Sequence, residues 1–295
     1  NIVIAPQYRH SRYSGLADDP SAPYLFAMSR MPLSPSRPAL LLAGALTALA
    51  LPALAHPALA QSGAGIALDH ESHSAACMRL TQEAPVDGYK SGTAWFDKGG
   101  GSAAEHCIAV ALLQLGDYAE AATRLERVAA DESLAPRPET RAGLLAQAGL
   151  AWVLAGDERK AAGARDRALD ITPDNVDLRI DQALSRMALE QYFEAIDDLN
   201  RALDLEPRRM DALLVRASAY RYLGQIDLAR DDVERALGID PGHPDALLER
   251  GVIARTAGDK DAARKDFLAV LHLTAEGPAS DAARLNLEAM DVRVE

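Results

Sequence analysis

The sequence is poor in aromatic residues and contains no run of basic residues. Phe, Trp and Tyr make up 5% of the chain, and the formal net charge is −12. A general nucleic-acid binder neutralises phosphates with clustered Lys and Arg, and this sequence has no such cluster. No apolar run with ordinary flanks reaches the roughly 18 residues that a transmembrane helix needs. We therefore expect no nucleic-acid partner and no transmembrane anchor in the mature chain.

Motifs that carry known catalytic chemistry are also missing. The sequence contains no Gly-x-Ser-x-Gly, no phosphate-binding loop and no Cys-x-x-Cys. His70 and His73 do not form the His-Glu-x-x-His pattern of a zinc peptidase, and a solvated segment explains them better. His106 and Cys107 are neighbours in a predicted helix, so their side chains point in different directions. The sequence predicts no enzyme, no cofactor and no metal site, although a hidden carboxylate pair stays open.

Residues 28–60 have the pattern of an export signal. Arg30 and Arg37 precede an uncharged apolar run of thirteen residues, and small residues follow up to Ala60. A basic region, a short apolar helix and an A-x-A site in this order are typical of a signal peptide. We expect cleavage after Ala60, with a second possible site after Ala55.

This export signal predicts the organisation of the N-terminal part. Residues 1–27 precede the signal and fit no part of it, so we interpret them as an upstream leader outside the native protein. Residues 61–72 are expected to form a flexible linker, and residues 73–101 a helical cap. The mature protein is predicted to be periplasmic or secreted, and the signal type and Ala- and Arg-rich composition suggest a Gram-negative bacterium.

A 34-residue period runs through the second half of the chain. Equivalent turn positions fall 34 residues apart, at Gly156, Glu190, Gly224 and Gly258. Gly116 occupies the same turn 40 residues before Gly156. A second landmark keeps this register, because an Ala-Leu pair is followed at the same distance by Pro173, Pro207 and Pro241. Each repeat carries two apolar stripes with offsets of three and four, which indicates two α-helices. A proline then ends the second helix, because it lacks the N–H that a helix interior needs.

These repeats resemble the tetratricopeptide repeat family, whose period is about 34 residues. The resemblance covers residues 102–277, in about five repeats near 102–136, 142–175, 176–209, 210–243 and 244–277. It implies an all-α fold, a right-handed α-solenoid of helix-turn-helix repeats in which stacked neighbours bury each other's apolar faces. We expect a capping helix over residues 279–291.

The two cysteines, Cys77 and Cys107, are predicted to form a disulfide bond. Exported proteins enter an oxidising compartment, where disulfides persist. The bond would join the first cap helix to the first helix of the first repeat, and the alternative is two unrelated buried thiols. Trp95, in the second cap helix, is expected to cover the open end of the solenoid as a core residue.

The family resemblance also implies a binding surface, because the first helices of successive repeats line a concave groove in this family. Chaperone-binding members hold a peptide carboxylate there with Lys and Asn, whereas this sequence has Ile, Leu, Ser or Val at those positions. The carboxylate clamp is therefore absent, and a mainly apolar groove would suit an extended or helical peptide. The groove candidates are Ile180, Leu184, Met187, Leu214, Ser218, Arg221, Tyr222, Leu248, Val252 and Arg255, together with Asp177 and Asp211. Packing of the Leu and Ile residues inside the solenoid stays open as the alternative.

Charged residues recur at two further positions of the repeat. Arg216 and Arg250 are equivalent positions in first helices, where the family usually has Leu, and Asp198, Asp232 and Asp266 are equivalent positions in second helices. We interpret them as Arg–carboxylate pairs that join the helices, because a buried arginine without a partner is very costly. The alternative is a ladder that binds anions.

The sequence thus predicts a non-catalytic scaffold or adaptor that binds a protein or peptide in the concave groove. Two alternatives remain, a periplasmic carrier or chaperone for unfolded polypeptides and an accessory subunit of an envelope enzyme. A chaperone should bind many apolar peptides weakly, whereas an adaptor should prefer one.

Overall fold

The computed structural model describes residues 61–134 and 137–291, which form α-helices and no strand. The predicted leader and signal peptide, residues 1–60, lie outside these described residues. The helices are α1 Gln61–Glu83, α2 Pro85–Phe96, α3 Gly101–Leu115, α4 Tyr118–Ala129, α5 Pro138–Leu154, α6 Glu158–Ile171, α7 Val176–Ala188, α8 Tyr192–Leu205, α9 Met210–Tyr222, α10 Ile226–Ile239, α11 Pro244–Thr256, α12 Lys260–Leu273 and α13 Pro278–Asp291. A short 3₁₀ turn, Glu132–Leu134, follows α4.

Five helix pairs, from α3–α4 to α11–α12, stack in chain order, which confirms the predicted all-α solenoid. Each helix packs on its partner and on the next pair. The turn within a pair needs a positive φ, and Gly116, Gly156, Gly224 and Gly258 provide it with φ between 72° and 88°. In the third pair Glu190 occupies this turn with φ 60°, a conformation that L-residues rarely adopt.

Small residues in first helices let the paired helix approach closely. A Cβ atom at Gly251 would lie 2.6 Å from Cε1 of Phe267, and one at Gly149 would lie 2.9 Å from Cγ of Arg165. Phe267 is fully buried and Arg165 is 4% exposed, so both side chains fill equivalent places in the core. An arginine therefore occupies a position that is apolar in the last pair.

The apolar core is divided into blocks. One block runs from Val176 to Ala283, and another runs from Ala109 to Leu178, so the two meet at α7 without merging. Polar side chains fill the layer between them. Arg165 donates to Oγ of Ser185, and Nε2 of Gln182 donates to Oδ1 of Asp166 at 2.6 Å.

The N-terminal part differs from the sequence prediction. Residues 61–72, predicted as a flexible linker, are helical, because α1 begins at Gln61 and continues unbroken to Glu83. The alanines of this segment favour helix, and α1 packs on both α2 and α3. Trp95 is half-buried rather than enclosed in the core, and its ring stacks on His73 with the ring centroids 5.9 Å apart.

The disulfide between Cys77 and Cys107 is present and joins α1 to α3, with a Cα–Cα distance of 6.1 Å. Both cysteines are buried, at 3% and 0% exposure. At the other end α13 packs on α12 and α11, and its residues Ala282 and Ala283 are buried. The stack is thus covered by helices at both ends of the described chain.

Candidate functional site

The first helices of neighbouring repeats form the inner face of the stack. Helix α9 contacts both α7 and α11, and α11 also contacts α13, whereas the second helices approach each other less. Closer spacing on one side makes that side the inner side of a curved array. Any extended partner that follows the curve would therefore contact α7, α9 and α11 first.

Half of the predicted groove residues are buried in the solenoid. Ile180, Met187, Leu214, Ser218, Leu248 and Val252 are all between 0% and 5% exposed. Packing between adjacent helices is the alternative that the sequence left open, and it leaves these six side chains little surface for a partner. Of the other six candidates, Asp177 is exposed, and the rest are half-buried, namely Leu184, Asp211, Arg221, Tyr222 and Arg255.

A pair of stacked tyrosines lies where α9 ends. The rings of Tyr192 and Tyr222 are nearly parallel, with centroids 5.1 Å apart. The guanidinium of Arg221 lies 4.6 Å from the Tyr222 ring centroid, and its Nε donates to Oε1 of Glu249 at 2.9 Å. Arg221 thus pairs with a buried carboxylate and orders the ring beside it. Tyr192 was missed in the sequence because it begins a second helix, outside the positions that the family uses for its groove.

Carboxylates dominate the polar part of the inner face. Arg209 donates to Oδ1 of Asp211 at 2.7 Å and also to Asp177. Burial raises the pKa of Asp181, against the opposing effect of Arg165, and burial also raises the pKa of Asp245. Burial thus favours the neutral form of Asp181 and Asp245, while Asp177 and Asp211 pair with Arg209.

The recurring arginines make the helix-joining pairs that the sequence predicted. Arg216 donates to both oxygens of Asp232 at 2.7 Å, and Arg250 donates to both oxygens of Asp266 at 2.8 Å. These bidentate contacts confirm the structural interpretation over the anion-binding ladder, since the guanidinium groups already hold carboxylates.

Asp198 departs from this pattern. Gln182 stands at the position equivalent to Arg216 and Arg250, so Asp198 takes other partners. Arg186 donates to its Oδ2 at 2.7 Å, and Arg179 donates to its Oδ1 at 3.3 Å. Burial nevertheless raises the pKa of Asp198 to about 6.

The raised pKa of Asp198 predicts a distinct pH dependence of stability. The folded protein binds a proton at Asp198 more tightly than the unfolded chain, whose carboxyl has a pKa near 3.8. Ionisation of Asp198 therefore lowers the stability as pH rises from about 4 to 6. In urea unfolding at pH 4.5, 5.5 and 7, we expect the unfolding free energy of the wild type, relative to Asp198→Asn, to rise as pH falls. A difference that stays constant or changes in the opposite direction would show that burial does not control this carboxyl.

The part of the chain that the structure describes was also compared with the needs of a metal site. No group of three or more His, Cys, Asp or Glu residues there could hold a metal ion. Cys107 is bonded to Cys77, so it cannot act as a thiolate beside His106. Burial lowers the pKa of His106, and Gln147 is its neighbour. None of the helices among these residues combines the length and apolarity that crossing a membrane requires.

Comparison with known proteins assigns the repeats to a family. The tetratricopeptide repeat family model matches residues 108–176, 180–244 and 214–281. No curated protein matches the chain. The repeats are therefore identified through the family model and through solved structures.

Two solved structures share the fold at low sequence identity. MamA from Desulfovibrio magneticus RS-1 is 22% identical, with a TM-score of 0.51 over 58% of this chain and 94% of that one. YrrB, described as a TPR protein with an unusual peptide-binding site, is 20% identical, with a TM-score of 0.50 over 68% of this chain and 97% of that one. At these identities the likeness shows the fold alone. Since the family model matches more than half of the sequence, the chain belongs to the tetratricopeptide repeat family.

Proposed function

We propose that this protein is a non-catalytic scaffold that binds a peptide segment of a partner protein along its inner face, in the periplasm. The observation that carries the proposal is the stacked pair of Tyr192 and Tyr222, which lies where α9, a helix of that inner face, ends. Aromatic residues are common energetic anchors of protein interfaces, because a rigid ring covers a large area at low entropic cost. The YrrB structure, with its peptide-binding site, supports the proposal by analogy. The periplasmic location rests on the signal-peptide pattern of residues 28–60.

The chemistry of the inner face favours a basic segment with an apolar anchor. Asp177 and Asp211 lie around Arg209, and Asp181 adds a third carboxylate beside them. Two guanidinium groups, those of Arg209 and Arg165, face these three carboxylates, and the whole chain carries a net charge of −12. A partner with Lys or Arg next to an aromatic or aliphatic residue would complement both the acidic patch and the tyrosine pair.

The proposal is tested by selecting peptides from a random library against the exported protein and then measuring their affinity. We expect Tyr222→Ala to weaken binding of the selected peptide at least about tenfold, the effect of losing an interface anchor. Phe193→Ala is the matched control, because this aromatic residue is 71% exposed and starts the same helix as Tyr192 without belonging to the stacked pair. Its affinity should match that of the wild type.

Thermal unfolding of both variants, followed by circular dichroism, shows whether each stays folded at the temperature of the binding measurement. Asp177→Lys provides a second variant, since its side chain is 53% exposed, and it should weaken binding of basic peptides selectively. Equal affinity of the Tyr222→Ala and Phe193→Ala variants would contradict the proposal. A selection that returns many unrelated apolar peptides with equal affinity would favour a carrier for unfolded polypeptides instead.

A further inference from the structure

A cleft between α10, α11 and α12 forms a second candidate site, away from the stacked tyrosines. Its volume is about 340 Å³, at the lower end of the roughly 300–1,000 Å³ of ligand pockets. Three alanines line it, Ala254 of α11, Ala257 directly after α11, and Ala262 of α12. The space therefore suits one large side chain better than a length of peptide.

The repeat register explains why the cleft exists. The preceding repeat has Tyr220, Leu223 and Leu228 at the positions that correspond to the three alanines. The position of Ala254 is also occupied by a large side chain in the two repeats before that one, as Trp152 and Arg186. Among the four repeats in residues 142–277, the last is therefore the only one with alanine at this position.

The large side chains of the other repeats show what such a site can hold. Nε1 of Trp152 donates to Oε1 of Glu126 at 3.0 Å, and Nη2 of Arg186 donates to Oδ1 of Asp166 at 3.1 Å. Each donor thus reaches a carboxylate on the second helix of the preceding repeat. The corresponding residue in the cleft is Glu234.

The carboxylate of Glu234 can accept a further hydrogen bond. Its closest cation is Nη1 of Arg250 at 3.5 Å, and its side chain is 55% exposed. Arg250 itself is held by Asp266, just as Arg216 is held by Asp232 in the preceding repeat. There the Arg216 guanidinium lies 5.8 Å from the ring centroid of Tyr220, so the same geometry around Arg250 would accept an aromatic ring.

We propose that this cleft binds a tryptophan or tyrosine side chain of a partner protein. The ring fills the space left by the three alanines, and its N–H or O–H donates to Glu234. The lining balances Arg230, Arg250 and Lys265 against Glu234, Asp259 and Asp266, so no net charge in the cleft opposes an uncharged ring. The cleft shares no residue with the tyrosine pair of the inner face, so a test of the cleft does not depend on whether the proposed function is correct.

N-acetyl-tryptophanamide is the probe that tests this proposal. Titrated into the full-length exported protein and followed by ¹H–¹⁵N NMR, it should shift the amide signals of Ala254, Ala257 and Ala262. N-acetyl-leucinamide, which has neither an aromatic ring nor a side-chain donor, should bind at least about tenfold more weakly. Shifts scattered over the whole surface, or equal shifts with the leucine probe, would overturn the proposal.

Two variants locate the binding. Ala254→Tyr rebuilds the side chain of the preceding repeat and should abolish the shifts while leaving or raising the melting temperature. Glu234→Ala, at a half-exposed position, keeps the fold and should weaken the tryptophan probe at least about threefold, as expected for one lost hydrogen bond. Tyr222→Ala is the control and should leave probe binding unchanged. Undiminished binding in both cleft variants would refute the assignment.

Discussion

Replacing Arg250 with leucine is expected to lower the free energy of unfolding by about 3–5 kcal/mol. The guanidinium holds Asp266 through two hydrogen bonds of 2.8 Å, and Asp266 is only 5% exposed. Leucine fits the apolar character of this family position, but it leaves a buried carboxylate without its cation. Urea unfolding at pH 7, with wild type and variant compared, measures the loss.

Two controls separate the ion pair from the loss of packing. Arg250→Leu combined with Asp266→Leu removes both charges, so we expect most of the lost stability to return. Arg230→Leu removes an arginine whose partner Asp227 is 93% exposed, and it should cost at most about 1 kcal/mol. If Arg250→Leu costs no more than Arg230→Leu, the bidentate pair does not stabilise the helix packing.

Opening the disulfide is expected to lower the stability of the N-terminal part by about 3–4 kcal/mol, the chain-entropy value for a loop of roughly this length. Cys77 and Cys107 are separated by 30 residues, and the bond fixes α1 and α2 against the first repeat. The double variant Cys77→Ala and Cys107→Ala keeps small buried side chains and removes only the cross-link. Urea unfolding followed by circular dichroism, with and without a reductant, gives the difference.

The reductant should have no effect on this double variant, which makes it the control for nonspecific effects. Mass spectrometry of the native protein should find two hydrogens fewer than in the reduced form. A native protein with two free thiols, or equal stability of wild type and double variant, would contradict the structural role of the bond.

The sequence predicted the helix pairs well because the same turn and helix-end residues recur in several repeats. A Gly or proline at one position is weak evidence, but the same residue at intervals of 34 fixes both the turn and the end of the helix. The Arg216–Asp232 pair was predictable for the same reason, since both positions recur together. Glu190 shows the limit, because it adopts this turn at a φ of 60°, which a non-glycine residue rarely adopts and its residue type does not predict.

The candidate site was less predictable than the fold. A family position such as that of Leu214 indicates which helix face a residue is on, but its burial depends on how closely the neighbouring helix approaches. That spacing depends on the stacked neighbouring repeats and cannot be derived from the sequence of one repeat. The cleft beside Ala254 does leave a signal in the sequence, because the equivalent positions of the preceding repeats carry the large side chains of Trp152, Arg186 and Tyr220.

The polar layer at α7 has a consequence for how the two parts of the array hold together. Arg165, Ser185 and Gln182 lie between two separate apolar core clusters. Repeat arrays are held together mainly by contacts between nearest neighbours. Cohesion at this one interface therefore depends on hydrogen bonds and charge, so it should respond to salt and pH more than the interfaces that bury apolar side chains do.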